Sequence, residues 1–206
     1  TAPDIITRIL AEQNLSDLRS DICSEHQPRE YCVQAGETDL DFIARLAAEE
    51  GLLYTFEHRA DGHTLVLTDR VGGLGTLGTH ADCPVIYQPI AGGDTTQPAL
   101  SRFHYTEQVR TAVQVQRDYT FTHPRYNQQH TATGGQDLNN QHKDYERYDY
   151  PGRYKRDIAG KPFTQTRLAA LRNDAKLAQL EGDDERLQPG LAFDLSDHPR
   201  EDFNDR

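Results

Sequence analysis

Tyr31-Cys32-Val33-Gln34-Ala35-Gly36-Glu37-Thr38-Asp39-Leu40-Asp41-Phe42-Ile43-Ala44-Arg45-Leu46-Ala47-Ala48-Glu49-Glu50-Gly51-Leu52-Leu53-Tyr54-Thr55-Phe56-Glu57-His58 reads as strand, helix, strand. Thr38 is a good N-cap, and Asp41 three residues later makes a capping-box-like pair with it. Leu40, Ile43, Leu46 and Ala47 fall on one helical face with Phe42 beside it. Gly51 supplies a left-handed stop. Leu52, Tyr54 and Phe56 then alternate as a strand does. Nothing in the stretch looks catalytic.

On the N-terminal side, Ile5, Ile6, Ile9 and Leu10 form an apolar stripe on a short helix, with Pro3 in its first turn and Asn14 as its stop. Its polar face lacks Lys, so the stripe reads as a docking face and not as a membrane-surface helix. Residues 15–27 are mixed and polar. On the C-terminal side, Asp61-Gly62 between two alternating segments signals a hairpin whose return strand is Thr64-Leu65-Val66-Leu67-Thr68-Asp69. Gly72, Gly73, Gly75 and Gly78 lack the G-x-x-x-x-G-K-S/T pattern of a phosphate loop and read as a connector. Residues 84–98, with their Pro and Gly, read as a linker or a crossing between lobes.

The second half is β-like from Arg102. Phe103 and Tyr105, then Val113, Val115, Tyr119 and Phe121, alternate with polar residues. The interleaved Gln114, Gln116, Asp118, Thr120 and Thr122 predict a face turned to water, or to an internal channel of a ring-shaped assembly. Residues 124–144 read as a long polar loop. Residues 164–180 are the longest helix candidate, with Leu168, Leu171, Ala175 and Ala178 on one face and Gly182 as the stop. Asp183-Asp184-Glu185 reads as a solvated turn.

Composition bounds the function. The chain has 206 residues, 35% of them hydrophobic, and a formal net charge of −11. Its mean hydropathy is −0.80. A chain of this length hides roughly 70% of its unfolded surface, so so few apolar residues imply a very polar exterior or surfaces buried on assembly. The acidic balance does not suit a phosphate backbone, and no nucleic-acid partner is expected. No apolar run approaches the roughly 20 residues of a membrane span, so no stable membrane insertion is expected. Cys23, Cys32 and Cys83 are odd in number and show no C-x-x-C spacing, against a disulfide framework or a structural zinc site. The chain starts Thr1-Ala2-Pro3 and contains no Met, which reads as an excised or processed fragment.

Three marks carry a family resemblance. The first is the run from Arg29-Glu30-Tyr31-Cys32 to Phe56-Glu57-His58. The second is Tyr148-Asp149-Tyr150-Pro151-Gly152-Arg153-Tyr154. The third is Leu187-Gln188-Pro189-Gly190-Leu191-Ala192-Phe193-Asp194-Leu195, followed by His198-Pro199. In this order they strongly resemble the valine-glycine repeat protein G (VgrG) family, the trimeric spike of bacterial type VI secretion, which is similar to the baseplate hub of contractile phage tails. The resemblance implies an α+β, β-rich fold with barrel-like β lobes and a few packed helices, as a fragment of a larger chain. Read along the chain, the residues divide into a first part over 1–88 and a second over 89–206; the resemblance implies that the lobes interleave across this boundary, with a preceding β-rich segment and a following needle in the parent. It implies a homotrimer seated on a tube of haemolysin-coregulated protein, with effector or adaptor proteins as further partners. Such a spike is cytoplasmic before firing and is then secreted or delivered into a target cell. No catalytic, cofactor-binding or metal residue comes with it.

The residues themselves offer little catalysis. The serines are Ser16, Ser20, Ser24, Ser101 and Ser196, and none sits in a G-x-S-x-G elbow. Glu49 and Glu50 are helix neighbours and are expected to point to different faces. His123, His130 and His142 match no compact ligand spacing. Cys32, alternating with Tyr31 and Val33, is read as a strand residue with no base beside it. The competing class is a carbohydrate- or peptide-processing or binding module, which needs carboxylates or aromatics converging on a concave site.

Overall fold

The computed structural model describes residues 1–77, 84–89, 97–135 and 141–204; Gly78 and Cys83 lie outside them. Three sheets and three α-helices make up the described chain. The first layer is built from local signals. Helix α1, Ala2–Glu12, buries Ala2, Ile6 and Leu10. It stops where Asn14 turns the chain with φ 61°. Helix α2, Asp39–Glu50, starts where the Thr38 hydroxyl accepts from the Asp41 N–H at 3.2 Å. It ends at Gly51 with φ 73°, the left-handed conformation that only glycine adopts without steric cost.

The buried face of α2 is Phe42, Leu46 and Ala47, joined to Ile6 and Leu10 of α1 in one apolar core. Leu40, expected on that face, is 67% exposed. At 3.6 residues per turn Leu40 and Phe42 stand about 200° apart, so one helix cannot bury both against one neighbour. The core took the pair spaced by four, Phe42 and Leu46.

Beneath the helices lies a sheet of order β1-β3-β2, made of β1 (Leu18–Asp21), β2 (Leu53–Arg59) and β3 (Gly62–Thr68). The hairpin β2-β3 is as the sequence predicts, but its turn is Ala60-Asp61, and Gly62 opens the return strand opposite Arg59. β1 runs parallel to β3, with Leu18 opposite Leu65. It is an unexpected strand inside the polar 15–27 segment. The strand expected at Tyr31, Cys32 and Val33 is absent, and the segment is irregular. Its Val33 carbonyl accepts from the Arg45 guanidinium at 3.2 Å, so a side chain takes the place of a ladder bond.

A second sheet has the order β10-β4-β5-β9, with β4 Val85–Tyr87, β5 Ala99–Glu107, β9 Lys176–Gly182 and β10 Leu195–Ser196. Val85, Leu100 and Leu195 form its small core, and Phe103, Phe193 and Phe203 pack against it. A third sheet, β7-β6-β8, combines β6 (Val113–Asp118), β7 (Gln128–Thr133) and β8 (Glu146–Asp149). Helix α3, Asp157–Leu171, lies on this sheet and reaches α2.

The second half departs from the sequence reading in three places. The helix expected over 164–180 begins at Asp157 and ends at Leu171, and residues 176–182 pair as β9 with β5. Pro162 sits inside α3, where a proline removes one helical hydrogen bond, which is why the early turns read poorly as helix. The helix stops before Asp174, which pairs with Arg110 at 2.6 Å. The expected loop over 124–144 contains strand β7, because Gln128, His130 and Ala132 supply a ladder opposite Asp118, Gln116 and Gln114. The polar face of β6 is not solvated: Gln114 is 0%, Gln116 7% and Asp118 4% exposed.

Candidate functional site: an assembly interface

One group of charged side chains converges where the 26–29 segment meets the end of α2. The Arg29 guanidinium spans Glu49 and Glu50, with one nitrogen 2.6 Å from Glu49 Oε2 and another 2.7 Å from Glu50 Oε1. The two carboxylates expected to diverge are thus held by one planar fork at the end of α2, a geometry that suits arginine and not lysine. Burial works against the Arg29 charge, and its hydrogen bonds to Glu50 and Glu49 outweigh that and raise its pKa. His26 Nδ1 lies 2.9 Å from Glu50 Oε2, and its Nε2 lies 4.0 Å from Asp69 Oδ2.

Asp69 closes the chain of contacts. Its carboxylate accepts from the Cys23 N–H at 3.0 Å and the Ser24 N–H at 2.6 Å. Burial pushes this carboxyl up, and the hydrogen bonds from Ser24 and Cys23 outweigh it, holding the group at about 2. The seam therefore staples the irregular 22–33 segment to α2 and β3. Ser24, His26, Glu50 and Asp69 also line a small cavity with Pro162 and Phe163 of α3.

A second buried polar network replaces the expected wet face of β6. Gln114 Nε2 donates to Asp149 Oδ2 at 3.0 Å. Asp118 accepts from the Tyr154 N–H at 3.0 Å and from Tyr119 N–H at 2.7 Å. Tyr154, 2% exposed, places its hydroxyl 2.9 Å from the Gln116 carbonyl and 3.0 Å from that of Gln128. Burial pushes its phenol up to about 12. The last tyrosine of the Tyr-Asp-Tyr-Pro-Gly-x-Tyr run is thus a core residue, while Tyr148 and Tyr150 stay exposed.

The three histidines weighed as ligands are not brought together. His130 pairs with Asp157 at 2.9 Å, His142 with Asp144 at 3.0 Å, and His123 with the Thr122 hydroxyl at 3.1 Å. Among the described residues no group of three or more His, Cys, Asp or Glu is placed to hold a metal. No described helix is long and apolar enough to cross a membrane. The expected solvated turn at Asp183-Asp184-Glu185 is also revised: the Asp184 carboxylate is buried on the Arg186 guanidinium at 2.6 Å, and Asp183 accepts from the Ala99 N–H at 2.8 Å.

Two strands leave surface uncovered among the described residues. Among the described residues β2 pairs with β3 alone, and on it Tyr54 and Phe56 are each 47% exposed. Every residue of β9 is exposed, and among the described residues β9 pairs with β5 alone. Open strand edges with uncovered apolar side chains are ready-made pairing surfaces. The edge of β9 was not legible in the sequence, which reads as helix up to residue 180.

The comparisons agree with this architecture. The whole chain, residues 1–206, matches the family profile described as phage tail baseplate hub (GPD). The chain belongs to that family, the hub part of the VgrG spike proteins. It is 50% identical to the type VI secretion system spike protein VgrG2b of Pseudomonas aeruginosa over 204 residues, which is 99% of this chain and 20% of that protein. It is 39% identical to the spike protein VgrG3 of Vibrio cholerae over 198 residues, 96% of this chain and 19% of that one. Another Vibrio cholerae relative, 36% identical over 96% of this chain and 18% of its own length, is named an actin cross-linking toxin, VgrG1. The chain spans about a fifth of the length of these relatives. Among solved structures it resembles the E. coli c3393 protein, described as a type VI secretion component similar to the T4 tail proteins gp27 and gp5. That match has a TM-score of 0.59 and 17% identity, and covers 96% of this chain and 39% of the other.

Proposed function

We propose that this chain is the hub segment of a type VI secretion spike, a rigid structural part of a homotrimeric, phage-tail-like puncturing device. The observation that carries the reading is the 50% identity to a named spike protein along 99% of the chain. Its internal ion pairs and buried amides serve rigidity, and its open strands β2 and β9 offer surfaces for neighbouring subunits or neighbouring parts of a longer polypeptide. Obligate contacts of this kind bury on the order of 2,000 Å² or more. The segment itself does no catalysis in this reading. The partners are two further copies, the haemolysin-coregulated tube protein below, and effector or adaptor proteins carried above. The spike waits in the bacterial cytoplasm and is then expelled from the cell or into a target cell. The division into parts at 1–88 and 89–206 is read as two contributions to interleaved lobes, since β4 before the boundary pairs with β5 after it.

The test is secretion. In a strain that fires its apparatus, the parent spike gene is replaced by one lacking this segment, and release of the tube protein into the medium is measured. Loss of release is expected, together with loss of the trimer in light scattering of the purified parent. Undiminished release would sink the proposal. A hub of a contractile phage tail is the second reading, favoured by the description of the matching family. Sedimentation of the segment with phage tails from the host, with no effect on secretion, would select it.

A further inference from the structure

The β2-β3 hairpin ends in two imidazoles that the sequence reading did not single out. His58 and His63 are direct cross-strand partners, one pair before the turn. Their Nδ1 atoms are 2.7 Å apart, their rings meet edge to face at 78° with centroids 4.8 Å apart, and both residues are exposed. Two nitrogens at this separation share one proton. The donor ring carries hydrogen on Nδ1, and the other offers its lone pair.

We propose that His58 and His63 form a two-ligand site for a divalent transition-metal cation, copper(II) or nickel(II) in preference to zinc. Metal–imidazole bonds of about 2.0–2.1 Å put two nitrogens about 2.9 Å apart at a right angle and about 3.4 Å apart at a tetrahedral angle. The observed separation needs an opening of about 0.2 Å for the first geometry and about 0.7 Å for the second, and in both the two rings must swing so that their Nδ1 lone pairs leave the line between the nitrogens and converge on the ion. Right-angled coordination is that of tetragonal copper(II) and nickel(II), and copper(II) binds nitrogen donors most tightly among these ions. On binding, the donor imidazole moves its proton from Nδ1 to Nε2 through solvent, and both Nδ1 lone pairs turn to the cation. Neutral rings therefore release no net proton. The other coordination positions take water or a donor from another molecule. The ion would clip the turn beside Phe56, whose ring stacks on His58 with centroids 6.4 Å apart.

The experiment is titration of CuCl2, and separately NiCl2, into the chain, followed by electron paramagnetic resonance for copper and by ring-proton NMR. One tight copper equivalent is expected, with splitting from two nitrogen donors. Substoichiometric copper should broaden the His58 and His63 ring signals before those of the other seven of the chain's nine histidines. His58→Gln and His63→Gln should each weaken that equivalent at least tenfold, and their double variant should lose no more than either alone. His142→Gln should keep it. NiCl2 should raise the melting temperature of the wild type and not of the two variants. Uniform broadening of all histidines, or a tight equivalent that survives in both His58→Gln and His63→Gln, overturns the proposal. Because the NMR outcome needs only the wild type, it decides even if a variant fails to fold.

Discussion

The hydroxyl of Tyr154 meets the backbone carbonyl of Gln116 at 2.9 Å. The same oxygen lies 3.0 Å from the carbonyl of Gln128, so one phenol joins β6 to β7 from below. Tyr154→Phe keeps the ring and removes the donor from two buried acceptors. It should cost about 1–3 kcal/mol, the range for leaving buried polar groups unpaired. Tyr154→Ala should cost about 3–5 kcal/mol, because a cavity is added. Urea unfolding of the two variants checks the order. Equal losses would mean that the packing of the ring contributes nothing, and an unchanged Tyr154→Phe would mean that the hydroxyl contributes nothing.

The same residue sets an alkaline limit. Burial lifts its phenol to about 12, above the ordinary value near 10. A group with a raised folded pKa binds its proton more tightly when folded, so its contribution is whole below pH 10 and is lost as pH rises to about 12. Stability should therefore fall through this window in the wild type and fall less steeply in Tyr154→Phe. Chemical denaturation at three alkaline pH values measures the difference.

The first layer was legible because its signals are local. Thr38, Phe42, Leu46 and Gly51 state a helix start, a buried stripe and a stop within fourteen residues, and the hairpin follows at once. The second half was less legible because its polar residues are core residues. Alternation of Gln114, Gln116 and Asp118 gave the strand correctly, but nothing local reveals that Tyr154 and α3 cover that face. Residues 176–182 carry apolar residues at both helical and strand spacing, and only pairing with β5, some seventy residues away, decides between them. Arg29 was quoted as a mark of the family, yet its role depends on Glu49 and Glu50 arriving from the far end of α2.

Removing Arg29 should be costly for that reason. Glu50 has a 6% exposed side chain and would lose both guanidinium nitrogens that it meets. Breaking a buried pair by deleting one partner costs about 3–5 kcal/mol, since the other charge stays desolvated. Arg29→Ala should sit in that range. Arg29→Lys should recover only part of it, because one ammonium cannot fork between two carboxylates. Thermal melts of both variants, and of Arg29→Ala with Glu50→Gln, test whether the loss resides in the stranded carboxylate. If the double variant is no more stable than Arg29→Ala, that cause is wrong.

Asp69 gives an acid limit. Its folded pKa of about 2 lies below the ordinary 3.8. A depressed carboxyl contributes stability above its unfolded pKa and loses it as pH falls through the folded one, here from about 4 to about 2. The shift corresponds to about 2 kcal/mol. Asp69→Asn should lower the melting temperature at pH 7 and leave it near that of the wild type at pH 2. A deficit that persists undiminished at pH 2 would assign the loss to packing instead of charge.

Gly160 separates helix propensity from packing. It lies inside α3, where alanine is favoured over glycine by about 1 kcal/mol. A Cβ at this position would run into the His130 ring and stand 2.7 Å from Cε2 of Tyr154. Both neighbours are fixed, His130 by Asp157 and Tyr154 by the carbonyls of Gln116 and Gln128. Overpacking a filled site costs about 1–3 kcal/mol, which outweighs the propensity gain, so Gly160→Ala should destabilise. Adding His130→Ala removes the nearer obstacle and should restore part of the loss. A Gly160→Ala variant more stable than the wild type would mean that α3 can move away from β7, and that the contact between Tyr154, His130 and the helix does not hold the third sheet in place.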